Sequence, residues 1–304
     1  MDKLASRIGN LLVGNNEKEA GLEITQLGPT ILFQESCVIA ITGACLSPVI
    51  RQSPVPMWRP VYIRKGSILE FGRPLKGCRA YITFSGGLDV PEVLGSKSTY
   101  LRAKIGGWHG RALQRGDHIP YKKSVVINFK EEAIFNKEHG YTAAKWSISP
   151  LILPAYKQNP VIRVIRGPEY GWFTAESQYH FWQTAYTITH QSDRMGYRLR
   201  GNTLSLQADR ELISSAVTFG SIQVPSNGSP IILMADHQTT GGYPRIGQVI
   251  SSDFSLLAQA APGSVILFRE VSLQEAQQLY ITQEKNIRLI RMVLARNSTG
   301  DLFQ

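Results

Sequence analysis

Cysteine is scarce in this chain: Cys37, Cys45 and Cys78 are the whole complement among 304 residues. They form no Cys-x-x-Cys pair and one is left unmatched, which excludes a disulfide framework and suits a reducing compartment. Long apolar runs are missing too. Stretches such as Ile231-Ile232-Leu233-Met234-Ala235 stop far short of the roughly 18 residues that a membrane-spanning helix needs. The N-terminus opens on Asp2 and Lys3 and continues as an amphipathic segment, without an apolar core leading to a small-residue cleavage site. No membrane association and no export are expected, and the cytoplasm is the expected location. Charged residues are only 18% of the chain, although 33 Lys and Arg against 23 Asp and Glu leave a net charge of +10. The basic residues are spread thinly, and their densest groups, Arg51 to Arg64 and Arg194-Arg198-Arg200, are interrupted by Pro and Gly. A nucleic-acid partner is therefore not expected, whereas a solvated basic face or a small acidic ligand is.

The common catalytic signatures are absent as well. There is no Gly-x-x-x-x-Gly-Lys-Ser/Thr phosphate loop, no His-Glu-x-x-His and no Gly-x-Ser-x-Gly elbow. The six histidines are scattered singly, so no metal site is expected.

What is present begins with length. At roughly 150 residues per domain the chain has room for about two, each with its own core. An internal echo supports that division. Leu22-Glu23-Ile24-Thr25, Gly43-Ala44-Cys45-Leu46, Gly66-Ser67-Ile68 and Gly86-Gly87 recur in the same order as Tyr186-Thr187-Ile188-Thr189, Gly201-Asn202-Thr203-Leu204, Gly220-Ser221-Ile222 and Gly241-Gly242. Four matches in one order point to duplication. Each half opens with a short helix. Asp2 is placed to cap one whose apolar positions Leu4, Ala5, Ile8, Leu11 and Leu12 share a face and which ends near Gly14; its counterpart runs from Thr174 towards Thr184. β-branched or aromatic runs follow, Val38 to Thr42, Ala80 to Phe84, Ile231 to Met234 and Val265 to Phe268, separated by Gly, Pro and Asn. The pattern is mainly β with a few short helices, compatible with two barrels or sandwiches. Ser272-Leu273-Gln274-Glu275 reads as a capping box for a helix through Ala276 and Leu279. Ser147 to Asn159, with Pro150 and Pro154, reads as a linker, giving domains 1–150 and 151–304. The second half has a strand-like Val161-Ile162-Arg163-Val164-Ile165 ahead of its helix, and the first half has no counterpart. The expectation is that Met1 is an internal methionine of a longer chain and that an edge of the first barrel is uncovered.

Three blocks dense in glycine and polar residues stand out. The first is Phe84-Ser85-Gly86-Gly87-Leu88-Asp89-Val90-Pro91, continued by Leu94-Gly95-Ser96-Lys97-Ser98-Thr99 and Gly106-Gly107-Trp108-His109-Gly110-Arg111-Ala112-Leu113. The second is Gln191-Ser192-Asp193-Arg194-Met195-Gly196-Tyr197-Arg198-Leu199. The third is Ala235-Asp236-His237-Gln238-Thr239-Thr240-Gly241-Gly242-Tyr243-Pro244. These blocks, over a stretch from Met1-Asp2 to about Ala276, resemble the 5-oxoprolinase C-subunit family, also described as allophanate hydrolase subunit 2 or biotin-dependent carboxyltransferase. A bacillus member of that family is an antagonist of a sporulation-kinase inhibitor.

The resemblance implies two tandem cyclophilin-like β-barrels, and an N-terminal segment ahead of the Met-Asp pair at which this sequence starts. It also implies partners: a homologue of the 5-oxoprolinase B subunit, which is the kinase-inhibitor-like protein, and the separate A subunit. With them the chain would form an ATP-dependent complex that opens 5-oxo-L-proline, a small lactam, to L-glutamate. Such a lactam is a poor electrophile, and phosphorylation of its carbonyl oxygen would supply a better leaving group. Lacking a P-loop, this chain would need an ATP site that is built differently or shared with a partner, and it is expected to be inactive alone. Two other readings come with the resemblance: a regulatory protein that binds the kinase inhibitor, and a biotin-dependent carboxyltransferase component acting on urea-like amides. Covalent biotin on this chain is not expected, because none of Met1, Met57, Met195, Met234 and Met292 is followed by lysine.

Chemistry of this kind needs cations for a carboxylate or phosphoryl group and backbone donors for developing negative charge. Arg111, Arg194 and Arg198 are candidate anion ligands, or planar ties between loops. Gly86, Gly87, Gly241 and Gly242 can bring amides close to a substrate, or form turns. Asp236 is a candidate to orient water or accept a proton, with Thr239 and Thr240 beside it as catalytic candidates, or else it caps its own turn. Ser96, Ser98, Thr99, Gln223, Gln238 and Tyr243 complete the substrate-binding candidates. His109 and His237 are candidates to titrate near neutral pH, and the rings of Trp108, Trp172 and Tyr243 to stack on adenine, with structural roles in core or interface as the commoner alternative.

Overall fold

A computed structural model of the chain describes residues 1–122, 133–136 and 140–299. It divides into two compact units, one made of Asp2–Leu153 with the chain from Asn286 onward, the other of Met1 with Pro154–Lys285. Helix α1, Lys3–Leu12, opens the first unit, and Asp2 caps it by accepting the Ala5 amide at 3.0 Å. Its apolar residues Leu4, Ile8, Leu11 and Leu12 are buried, as their spacing on one face requires.

The main sheet of this unit has six strands, in the order Gly21–Thr25, Lys76–Phe84, Cys37–Cys45, Pro60–Ile63, Tyr141–Ala144 and Ala133–Asn136. Strand Cys37–Cys45 is buried on both faces, and its alternation says why. Cys37, Ile39 and Ile41 enter one core with Val61, Ile63, Ala80 and Ile82, while Val38 and Ala40 pack with Leu4, Ile8 and Leu12 of α1. Thr42 on the helix side donates to the Ala5 carbonyl at 2.8 Å. Gly9 permits this approach, because a Cβ there would lie 3.0 Å from both Thr42 and Thr83. Gly21–Thr25 pairs on one side only among the described residues, so it is an edge. A separate four-stranded sheet joins Ile31–Leu32, Ile68–Glu70, Val49–Ile50 and Ser53–Pro54.

In the second unit seven strands close into a barrel: Val161–Arg166, Arg245–Val249, Ser221–Gln223, Ile231–Leu233, Gly196–Arg200, Tyr186–Ile188 and Val265–Glu270. Closure is made by Val265–Glu270, which pairs parallel with Val161–Arg166. Alternate residues fill the interior, among them Ile162 and Val164, Tyr186 and Ile188, Tyr197 and Leu199, and Ile266 and Phe268. Helix α2, Ala175–Gln183, is capped by Thr174, which accepts the Ser177 amide at 3.1 Å, and stacks Phe181 on Phe268 with ring centroids 4.7 Å apart. A short helix α3, Phe254–Gln259, follows buried Asp253, which ties it to the barrel by accepting the Arg163 amide at 2.8 Å.

The chain is mainly β, as its patterning predicts. The capping motif at Ser272 starts a helix, with the Glu275 amide donating to Ser272 Oγ at 3.0 Å. That helix, α4, runs from Leu273 to Thr299, far longer than the motif indicates, and the boundary between the units falls within it. The internal echo holds in part. In both halves a capped helix precedes the first echoed strand, and Gly66 and Gly220 share left-handed φ values of +82° and +85°. Gly86-Gly87 and Gly241-Gly242 are not equivalent: the first pair lies in a left-handed turn, whereas Gly241 lies in a two-stranded ladder of Thr240–Gly241 with Ser215–Ala216. Glycine tolerates both conformations, so a shared Gly-Gly does not define a shared geometry.

Candidate functional site

The polar blocks supply two sets of candidates, one in each unit. In the first unit, the strand Lys76–Phe84 runs into Gly86 and Gly87, with φ of +89° and +79°. Buried Asn10 at the end of α1 donates to the Glu19 carbonyl at 2.8 Å and accepts from Asn15 at 3.0 Å. Asn15 in turn donates to the Phe84 carbonyl at 2.7 Å and accepts the Gly86 amide at 2.8 Å. The turn is thus built from helix and strand together. Glu19 lies over the bare face of Gly87, where a Cβ would come within 2.2 Å of its Cγ. Its carboxylate is ion-paired with Lys97 in a mostly buried position. Burial raises the Glu19 pKa, but the Lys97 contact outweighs it and holds the carboxyl below its ordinary value.

The loop beyond folds on itself. Ser96 Oγ accepts the Ser98 amide at 3.1 Å. Gly106 and Gly107 back directly onto Ser98 and Thr99: an added Cβ would lie 2.4 Å from the Ser98 carbonyl and 1.9 Å from Thr99 Oγ1. Beside them opens a cleft of about 330 Å³ whose lining includes Pro91, Lys104, Trp108 and His109. Arg111 does not face an open anion site. It forks onto Asp117, with both N···O distances at 2.7 Å, and Asp117 also accepts the Gln114 amide at 2.7 Å. The Arg111 guanidinium holds the Asp117 carboxyl far below the usual carboxylate range.

In the second unit Arg194 is likewise forked, onto Asp236, at 2.8 and 3.1 Å. Asp236, the candidate base, therefore has both oxygens engaged, and its amide donates to the Arg194 carbonyl at 2.8 Å. Arg198 stands exposed on strand Gly196–Arg200 and makes no ion pair among the described residues. Gln238, Thr239 and Thr240 are exposed. A tighter group forms around Gln223, buried at the end of its strand. Its side-chain amide donates to the Tyr243 carbonyl at 3.3 Å and closely faces Gly241, where a Cβ would lie 2.4 Å from Gln223 Nε2. Gly242 backs onto Ser214 and the Leu212 carbonyl, and the Tyr243 ring is half exposed.

The blocks do not announce the pair that fixes this corner. Glu169 accepts from Arg245 Nε at 2.8 Å, Nη2 at 2.7 Å and the backbone amide at 3.0 Å, and Arg245 Nη1 donates to the Ala216 carbonyl at 3.1 Å. Glu169, Arg245, Glu19 and Asp117 lie outside the three blocks, and Lys97 lies within one without a distinguishing neighbour. Nothing in their local spacing marks them, and apart from Asp117, six residues beyond Arg111, each finds its partner through the fold.

Residues 1–270 match the family described as carboxyltransferase domain, subdomain A and B. The chain belongs to that family. It is 41% identical over 294 residues to the 5-oxoprolinase C subunit of Haemophilus influenzae, spanning 97% of this chain and 89% of that protein. Identity to the 5-oxoprolinase C subunit of Escherichia coli is 40% over 290 residues, 93% of this chain and 87% of that protein. The fold of this carboxyltransferase-family chain is also that of a segment of Kluyveromyces lactis urea amidolyase, with a TM-score of 0.84 and 29% identity, over 95% of this chain and 18% of the larger one. The resemblance carried by the three blocks is thereby confirmed. No helix among the described residues is long and apolar enough to cross a membrane.

A triphosphate is held by several cations or converging free amides. The family candidates here do not fit one, since Arg198 is the sole one of their cations without an ion pair among the described residues. Arg111 and Arg194 are each neutralised by a carboxylate, Lys97 is engaged with Glu19, and the Gly86 and Gly87 amides donate to Asn15 and to the Phe84 carbonyl.

Proposed function

We propose that this chain is the C subunit of an ATP-dependent 5-oxoprolinase, acting with a homologue of the B subunit and with the A subunit to convert 5-oxo-L-proline to L-glutamate. The supporting observation is the 41% and 40% identity to two proteins of that name across nearly the full length of each. In the net reaction the lactam C–N bond breaks, one water supplies the oxygen of the new side-chain carboxylate, the nitrogen stays on Cα as the amine, and ATP with a second water gives ADP and phosphate. Because Arg111, Arg194 and Lys97 are internally paired and Arg198 alone is too little for a triphosphate, the nucleotide is assigned to a partner or to a surface completed by one. This chain's part is to offer the polar loops of its units as surfaces for the substrate or the other subunits.

Glutamate release is the test. The three subunits with ATP and 5-oxoproline are expected to release glutamate, and mixtures lacking this chain or ATP are not; equal release without this chain would overturn the assignment. The structural likeness to urea amidolyase favours a second reading, a carboxyltransferase component acting on a urea-like amide with biotin on a separate carrier. Transfer of labelled carboxylate from a biotinylated carrier to urea, dependent on this chain, would favour it over ring opening.

A further inference from the structure

We propose that the cleft bounded by Lys104, Trp108 and His109 in the Asp2–Leu153 unit binds the carboxylate end of a small ring acid, the lactam acid of the proposed reaction. The inference rests on that reading for the identity of the ring. The site itself rests on shape and charge. The cleft's volume of about 330 Å³ accommodates one small ring with its first waters, and Pro91 and Trp108 supply apolar walls. Trp108 is anchored by packing on the core of the unit, so this wall is preformed.

The charge is one-sided. Between Lys97 and His118 the chain carries five Lys and Arg but a single acid, Asp117. Lys97 and Arg111 are committed to Glu19 and Asp117, whereas Lys104 at the cleft makes no ion pair among the described residues. An ammonium beside an imidazole N–H can supply two donors to one carboxylate. The glycines keep the floor open: at Gly110, with φ of +65°, a Cβ would lie 2.0 Å from the Lys104 carbonyl, so any side chain there would displace the residue that carries the charge. One ammonium and one imidazole suit a monocarboxylate and are too few for a triphosphate.

Lys104→Met keeps the side-chain stem at an exposed position and removes the charge. In the reconstituted complex this variant is expected to raise KM for 5-oxoproline about tenfold or more, the range of a lost charge-assisted hydrogen bond, with kcat within about twofold, and Lys104→Arg to restore most of the loss. 2-Pyrrolidinone, the same lactam without the carboxylate, is expected to inhibit wild type and Lys104→Met equally. An unchanged KM, or a 2-pyrrolidinone affinity that falls with that of the acid, would overturn the proposal. If the wild-type complex does not turn over 5-oxoproline, the functional reading fails by itself. The cleft is then decided by calorimetric titration of 5-oxoproline into this chain: binding that Lys104→Met weakens supports the site, and no binding, or binding the variant leaves unchanged, refutes it.

Discussion

Replacing Glu169 by alanine tests how the corner of the second unit is held. The Glu169 side chain is 8% exposed and its partner Arg245 is 19% exposed, so the change strands a guanidinium with little access to water and removes the acceptor of three N–H groups. Breaking a buried pair from one side costs on the order of 3–5 kcal/mol; the residual exposure of Arg245 puts the expected loss near the lower end, about 3 kcal/mol. For a unit of this size that corresponds to a fall in Tm of roughly 10 °C. Arg245→Met should cost a similar amount by stranding Glu169, and the double variant should cost little more than either single, because the two changes share one interaction. Burial raises the Glu169 pKa, yet the Arg245 hydrogen bonds outweigh it and leave the group below its ordinary 4.5. A carboxyl lowered on folding contributes stability that is full above that ordinary value and is lost as pH falls through the folded value. The wild type should therefore lose Tm below about pH 4.5 more steeply than Glu169→Ala. Arg245 also holds the Ala216 carbonyl, next to the Val217 amide that donates to the Thr239 carbonyl at 3.0 Å, so amide exchange at Val217 should quicken in either single variant. Chemical denaturation with calorimetry reads the stability, and deuterium exchange reads the ladder. A loss below about 1 kcal/mol, or single effects that simply add, would refute the account.

Gly87→Ala places a Cβ against Glu19 at a φ of +79° and should destabilise the first unit by about 2 kcal/mol in urea; the same change made in a Glu19→Ala background should cost less, and equal costs would disprove the steric part. Burial pushes the Cys37 thiol up to about 12 and raises Cys78 as well, so a thiol reagent at pH 8 should label half-buried Cys45 first and the other two only on unfolding; rapid labelling of Cys37 in the native chain would contradict this. Ile290→Ala, in the buried face that α4 sets against α1, should cost about 2–4 kcal/mol, and a loss under about 0.5 kcal/mol would show that the C-terminal part of α4 is not docked there.

Much of the fold could be read from local chemistry. Asp2 and Thr174 announce their helices because a short side-chain oxygen followed by an apolar face has one common use. Alternation in Val38 to Thr42 and Val265 to Phe268 likewise marks strands. The length of α4 could not be read this way, since its later turns are held by Ile287 and Ile290 against residues nearly a whole chain away. The resemblance implies a barrel, but which strands close it could not be read locally for the same reason: closure depends on parallel pairing of Val161–Arg166 with Val265–Glu270, about a hundred residues apart. Within the site, the blocks locate the loops but not the ionic partners. Asp117 lies a few residues beyond its arginine, yet Glu19 and Lys97, and Glu169 and Arg245, are brought together only by the folded sheets.

That failure has a general cause. A guanidinium in a glycine-rich loop is equally suited to an incoming anion and to a carboxylate of its own chain, and the internal partner costs less association entropy once the fold brings it near. Arg111 and Arg194 both take the internal partner, each in a two-point fork. Forked arginines fix loop geometry and leave little positive field for a ligand. Lys104 is different: it lines the cleft and makes no ion pair among the described residues. The forked Arg111 and Arg194 fix their own loops, and anion-binding capacity falls to cations without a carboxylate partner among the described residues, Lys104 at the cleft and Arg198 on its strand.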